Sequence, residues 1–147
     1  MEQKDTAINI EFITPQGDQR KIEACSIQVK TPHGKTEILR NHAPFFALLE
    51  PGTIKITPLD KRKGAEFIYL TNSGVIEVYK NHVVILAENG FFGEDLDTKA
   101  LEKSEAELRE KMNTCPEQLS ETLKKLNAVM EKLRITEEIR ESAKRSH

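Results

Sequence analysis

Residues 34–52 read Gly-Lys-Thr-Glu-Ile-Leu-Arg-Asn-His-Ala-Pro-Phe-Phe-Ala-Leu-Leu-Glu-Pro-Gly. A glycine turn opens the stretch, a His42-Ala43-Pro44 corner breaks it, and a Pro51-Gly52 turn closes it. Apolar runs of strand length lie between these points. Proline fixes φ and removes a backbone donor, so two prolines stiffen what is otherwise a loop-rich β segment. The stretch contains no catalytic constellation. Its chemistry is that of a surface presenting a shape, not of a site that breaks bonds.

Outward from this stretch, the same grammar continues. Ile8, Ile10 and Phe12 alternate with polar residues up to a turn at Thr14-Pro15-Gln16-Gly17. Cys25, Ile27 and Val29 alternate again and end at Thr31-Pro32-His33-Gly34. Ile54 and Ile56 follow Pro51-Gly52, Phe67–Leu70 and Val75–Tyr79 flank Thr71-Asn72-Ser73-Gly74, and Val83–Ala87 runs into a turn at Glu88-Asn89-Gly90. Short strands with turn signals every 8–12 residues or so mark a sandwich or barrel. No long helical pattern interrupts them, which argues against a βαβ arrangement. Residues 1–93 are therefore expected to form an all-β sandwich or barrel.

Past Gly93 the pattern changes. Residues 94–147 contain no glycine and a single proline, Pro116. Leu101, Leu108 and Met112 share one helical face. Thr114-Cys115-Pro116-Glu117 reads as a restart, with Thr114 as cap, Glu117 completing a capping box and Pro116 in the tolerated first turn. Leu119, Leu123, Leu126, Met130 and Leu133 then form a heptad-like stripe. The two stripes predict an antiparallel two-helix hairpin. No Phe or Tyr lies beyond Phe92, so the seam of Leu, Met and Ala is thin and the hairpin is expected to be detachable. Asp95 and Asp97 read as helix-start residues. The basic residues of the second helix include Lys124, Lys125, Lys132 and Arg134. They describe either a solvated face with pairs such as Glu121–Lys125 or a face that meets acidic residues of a partner.

Composition narrows the function. The 147 residues are 37% hydrophobic and 31% charged with a formal charge of −2, which fits a small core with a surface-rich appendage and gives no reason to propose nucleic acid. Cys25 and Cys115 have no neighbouring cysteine; Cys25 reads as a buried strand thiol, Cys115 as incidental, and a reducing compartment fits. His33, His42, His82 and His147 lack metal-ligand spacing, and there is no G-x-S-x-G elbow, P-loop or G-x-G-x-x-G fingerprint. No catalytic residue, cofactor or metal is expected. Met1-Glu2-Gln3-Lys4-Asp5 has no apolar signal core, and no window is apolar enough to span a membrane.

With the β domain, the hairpin and the 34–52 stretch together, the chain resembles the epsilon subunit of the F-type ATP synthase over nearly its full length. The residues carrying the resemblance are Gly34, Ile38-Leu39, His42-Ala43-Pro44, Pro51-Gly52 with Thr53–Ile56, Glu66–Leu70, Gly74–Val78 and Asp95-Leu96-Asp97. The resemblance implies a non-catalytic rotor subunit that couples proton flow to ATP synthesis. Its sandwich would hold the gamma shaft and the membrane ring. Its helices would fold down or extend along gamma toward the catalytic alpha and beta subunits, slowing hydrolysis. It implies Gly34, Lys35, Glu37, Asn41, His42, Ala43 and Pro44 as a ring-facing edge, and Lys124, Lys125, Lys132 and Arg134 as contacts of the extended state. The implied location is peripheral, on the cytoplasmic face of the bacterial plasma membrane, or alternatively on a plastid thylakoid.

Three positions depart from the family's pattern. Glu37 stands where a second glycine is common, and Lys35 where an acidic residue is common. Leu96-Asp97-Thr98-Lys99-Ala100-Leu101 lacks the arginine of members that bind ATP, so no useful ATP affinity is expected. The rival readings are a β-sandwich adaptor whose coiled-coil hairpin binds unrelated helical partners, and a small enzyme with an unrecognised site.

Overall fold

The alternation of the first strand becomes a pleat. In β1 (Ile8–Ile13), Ile8, Ile10 and Phe12 are buried while Asn9 faces solvent. The computed structural model describes residues 7–60 and 62–145; Met1–Asp5 and His147, read above from sequence, lie outside them, as does the side chain of Arg145. The chain divides into two compact units, one ending at Phe92 and the next beginning at Gly93.

The first unit is a nine-stranded β sandwich. After β1 come β2 (Gln19–Thr31), β3 (Gly34–Leu39), β4 (Phe45–Leu49), β5 (Gly52–Pro58), β6 (Glu66–Leu70), β7 (Gly74–Tyr79), β8 (His82–Ala87) and β9 (Gly90–Phe92). The hydrogen-bonded order is β4-β7-β8-β1-β2-β5-β6-β9, with β3 also beside β2. All pairs are antiparallel except β1 with β8.

One long strand serves both layers. The first half of β2 pairs with β1 through Ile8↔Ala24 to Ile13↔Gln19, and its second half pairs with β3 and β5. The register against β5 passes from Ala24↔Pro58 to Ser26↔Thr57, so Cys25 is the extra residue of a bulge. Bulges bend and twist the strand that carries them. The bulge also corrects the sequence expectation for Cys25, whose thiol is half-buried rather than buried, because it stands outside the regular in–out alternation.

The core between the layers is aliphatic. Ile8, Ile10, Ile27, Ile38, Ile56, Leu70, Ile76 and Ile85 are enclosed together with Phe12. Each such side chain contributes about 1.5–3 kcal/mol when removed from water. Phe12 also decides the chain's path at the far edge. A Cβ on Gly90 would lie 2.3 Å from Phe12 Cζ, so only glycine lets β9 pass there. Phe92 then meets Phe12 edge-to-face at 5.3 Å, with the Arg20 guanidinium 3.6 Å above the Phe92 ring. The turn read at Glu88-Asn89-Gly90 stops short of Gly90, which begins a further strand paired with β6.

The second unit starts with a 3-10 turn at Gly93–Asp95 and continues as α1 (Thr98–Thr114) and α2 (Leu119–Arg145), linked by a 3-10 turn at Pro116–Gln118. Asp97 is the N-cap of α1 and accepts from the backbone N–H groups of Lys99 (3.1 Å) and Ala100 (3.3 Å). Thr114 does not cap the second helix as expected. It closes α1, its hydroxyl donating to the Glu110 carbonyl at 3.2 Å. That i−4 bond within its own helix takes the hydroxyl away from the next one. Cys115 precedes the linking turn and makes no side-chain cap.

So short a link makes the helices antiparallel. Arg109 Nη2 reaches Met130 Sδ across them at 3.7 Å. The stripe on α2 also needs correction. Thr122 and Leu126 are buried and Val129 and Leu133 half-buried, whereas Leu119, Leu123 and Met130 are exposed. One partner helix covers a narrow arc. On a helix of about 100° per residue, Thr122 and Val129 lie on one side of Leu126, and Leu123 and Met130 on the other. Leu119 sits at the open end beside the link.

Candidate functional site

The turn that carries Gly34 is set by local chemistry. Thr31 Oγ1 donates to the Gly34 carbonyl at 3.1 Å and accepts from the His33 N–H at 3.2 Å. Gly34 has φ of 118°, a backbone state that favours glycine. Along β3, Ile38 is buried, while Lys35, Glu37 and Leu39 face solvent. Lys35 stands opposite Lys30 and Glu37 opposite Gln28 on β2.

The Asn41–Pro44 corner lies at the other end of the same strand, about 20 Å away at roughly 3.3 Å per residue. The structure therefore separates the predicted edge into two places, the Gly34–Glu37 turn and the Asn41–Pro44 corner. At the corner, the His42 N–H donates to the Leu39 carbonyl at 3.1 Å. His42 Nδ1 lies 2.8 Å from the Ala43 carbonyl, and its ring meets Phe45 edge-to-face at 5.7 Å. His42 is half-buried; Asn41, Ala43 and Pro44 are exposed.

A neighbour that sequence reading overlooked holds this corner. Lys80 and Asn81 form the two-residue loop between β7 and β8, bounded by the pair Tyr79↔His82. The Asn81 Oδ1 accepts from the Asn41 N–H at 2.6 Å, and Asn81 Nδ2 donates to Asn41 Oδ1 at 3.3 Å. The Asn81 carbonyl accepts from the Asn9 N–H at 2.8 Å, tying in β1. Two adjacent apolar alternating strands separated by two residues were the available signal for this hairpin.

The second overlooked feature is an exposed apolar face. The outer side of β4, β7, β8 and β1 carries Phe46 (71% exposed), Leu48 (60%), Val75, Val84, Leu86 and Ile13. Registers Leu48↔Val75, Val75↔Leu86 and Ile13↔Leu86 align them across four strands. Glu77 and Glu11 lie in the adjoining row, on either side of Val84. Next to this face an open apolar cleft of about 430 Å³ is lined by Ile13, Thr14, Leu48, Gly74, Val75 and Leu86. The buried Thr14 hydroxyl beside it has no protein hydrogen-bond partner. The unbroken apolar runs Phe45–Leu49 and Val83–Ala87 were the signal: a strand exposing only one face to the core alternates, whereas these do not.

On α2, Lys124, Lys125 and Arg134 are exposed, Lys132 is half-buried, and Arg134 has an interaction of its own. Lys125 and Lys132 project within about 20° of each other, while Lys124 and Arg134 lie about 80° apart on the neighbouring arc. The four form a broad band, not one line.

Among the described residues, no group of His, Cys, Asp and Glu could hold a metal ion. Away from these surfaces, the Arg62 side chain and N–H hold the half-exposed Asp60 carboxyl below the usual carboxylate range. No described helix is long and apolar enough to cross a membrane.

The sandwich is of the ATP synthase delta/epsilon chain class: the family model for the β-sandwich domain of that chain matches residues 7–92. Relatives extend the likeness. The ATP synthase epsilon chain of Clostridium novyi is 33% identical over 104 residues, covering 71% of this chain and 77% of that one. The epsilon chain of Halorhodospira halophila is 25% identical over 142 residues, covering 95% and 99%. A chain of the Euglena gracilis mitochondrial ATP synthase, solved by cryo-EM as OSCP/F1/c-ring in rotational state 1, has the same fold, with a TM-score of 0.56 at 17% identity over 93% of this chain and 81% of that one. The chain belongs to the ATP synthase epsilon subunit family.

Proposed function

We propose that the chain is a non-catalytic rotor subunit of a proton-translocating F-type ATP synthase, in which residues 1–93 dock and residues 94–147 regulate. The observation that carries the docking part is the apolar outer face of β4, β7, β8 and β1. Phe46 and Leu48 are the most exposed large apolar residues among those described, and a contiguous apolar patch of this kind is what a lasting protein partner covers. In this reading the gamma shaft covers that face, with cations of its own meeting Glu11 and Glu77. The membrane ring meets the edge that runs along β3, from Gly34, Lys35 and Glu37 to Asn41, His42, Ala43 and Pro44. The protein then sits at the cytoplasmic face of the bacterial plasma membrane through its partners.

The regulatory part rests on the hairpin. Its seam is thin and Leu119, Leu123 and Met130 are already exposed, so opening loses little. A two-state element needs packings that differ by only a few kcal/mol. Extended along gamma, α2 presents Lys124, Lys125, Lys132 and Arg134 to the alpha and beta subunits and slows ATP hydrolysis. Exposed ion pairs contribute about 0.2–1 kcal/mol each, so the band acts only collectively.

The test is ATP hydrolysis by a catalytic sector stripped of this subunit, with the full chain added back. Wild type is expected to bind and slow hydrolysis, Phe46→Asp to lose binding, and the quadruple alanine variant of the α2 cations to bind without inhibiting. Failure of wild type to bind any gamma-containing sector would hand the lead to the adaptor reading. Isothermal titration is expected to show no ATP binding tighter than about 100 μM, a free energy near −5.5 kcal/mol.

A further inference from the structure

Three described non-glycine residues have positive φ: Asn41 (65°), Lys80 (46°) and Asn81 (66°). All three meet at one place, where the β3–β4 corner touches the β7–β8 hairpin. Non-glycine residues in this region are uncommon and persist where their surroundings hold them. A two-residue hairpin loop of this hand needs positive φ at both positions, which accounts for Lys80 and Asn81 locally. It does not account for the pairing of Asn81 with Asn41, forty residues away in sequence.

We propose that Asn41 and Asn81 are positioning residues, whose reciprocal amide bracket locks the docking corner to the apolar sheet. The inference rests on the docking reading above and extends it. β7 and β8 carry part of the exposed apolar face, and the corner carries His42 and Pro44. The bracket links those two surfaces through side chains, beside the Arg40 guanidinium, which reaches the Ala7 carbonyl at 3.5 Å, and the Asn81 carbonyl secures the hairpin to Asn9 of β1. Two partners gripping one subunit at two surfaces transmit force only if the surfaces keep a fixed relation. Without the bracket, Asn41 to Pro44 keep only weaker ties, their flanking strands and the long Arg40 contact to Ala7, and must be ordered when a partner binds. Pre-ordering a loop removes that cost from association.

Glycine separates this role from mere tolerance of positive φ. Asn81→Gly adopts the same backbone with less strain but deletes both side-chain bonds. Asn81→Asp keeps the acceptor for the shorter bond, from the Asn41 N–H. Asn41→Gly also keeps that bond and loses the longer one. For the free full-length chain, Asn81→Gly is expected to speed hydrogen exchange at the Asn41 amide about tenfold, with Asn81→Asp nearer wild type. For binding to the stripped catalytic sector with its ring, Asn81→Gly is expected to weaken Kd about three- to tenfold, the scale of one or two ordinary hydrogen bonds. Asn41→Gly is expected to lose less, and the double glycine variant no more than Asn81→Gly alone.

Wild-type exchange and affinity in Asn81→Gly would overturn the proposal. Faster exchange with unchanged affinity would also overturn it, leaving the bracket as a local fastening. Failure of the docking reading is seen separately. Should His42→Ala and Pro44→Ala bind like wild type, the corner is not a docking surface, whatever Asn81 does.

Discussion

In the sandwich, Ile8, Ile27, Ile38, Ile56 and Ile85 are fully enclosed, each held by neighbours from two layers. In the helical unit, Leu126 and Ile135 are the buried apolar residues among those described, and the rest of the apolar stripe is half-covered or exposed. A sheet folded over itself encloses side chains from both sides, whereas a helix with one neighbour covers an arc. The first arrangement has many buried contacts to resist opening; the second has few. The contrast matters to the proposed function, because a rotor subunit needs one part that never yields and another that does.

The sharpest way to break the contrast is Ile56→Ala. It is expected to destabilise the sandwich by about 3–5 kcal/mol through lost burial and a cavity, read by urea unfolding. A loss below about 1 kcal/mol would mean that the sandwich relaxes as easily as the hairpin. Next comes Leu126→Ala, which removes the centre of the seam. About 2 kcal/mol is expected, seen as faster hydrogen exchange along α1 and α2; unchanged exchange would show that the seam does not hold the helices. Asp97→Ala removes the cap of α1 and is expected to loosen its first turn by about 1 kcal/mol, again by exchange.

The smallest effect is at Asp60. Its folded pKa lies below the ordinary carboxylate range because Arg62 donates to the carboxylate. The sign is that of a depressed acid: the contact favours the folded state above the ordinary carboxylate pKa and is lost as pH falls through the lowered value. The pair lies at the surface, with the Arg62 side chain almost wholly in solvent, so Arg62→Ala is expected to raise the Asp60 pKa in an NMR titration without moving the unfolding midpoint. A shifted midpoint would place real stability in a surface loop.

Much of the fold was readable from local period. Ile8-Ile10-Phe12 and Val75–Tyr79 alternate because one side of each strand meets the core, and the glycine-free tail switches to spacings of three and four. Three features were not. β9 has three residues, too few to show a period, and its course depends on Phe12, distant in sequence. On α2, the stripe Leu119-Leu123-Leu126-Met130-Leu133 and the observed Thr122-Leu126-Val129-Leu133 both obey helical spacing, so only the position of α1 decides between them. Thr114 has two helices to serve, and its own carbonyl ladder wins. At the candidate site, Asn41, His42 and Pro44 stood out as corner residues, but Asn81 drew no notice, because its importance arises from a contact between turns. The predicted edge grouped Gly34 with Asn41 although a run of strand length lies between them, and that strand holds them apart.

The parallel pairing of β1 with β8, Asn9↔His82 through Leu86, has a consequence for how the protein is made. β1 leaves the ribosome first and finds β2 at once through a short turn, but its other edge waits for a strand more than seventy residues later. Parallel pairs between distant segments close slowly, since the intervening chain must be ordered before they form. Until then the nascent sheet has an open seam beside Ile8, Ile10 and Phe12, and it shuts only when β8 arrives and Phe92 seats against Phe12. The helices come after β9 in the chain, so they are the last elements to be made.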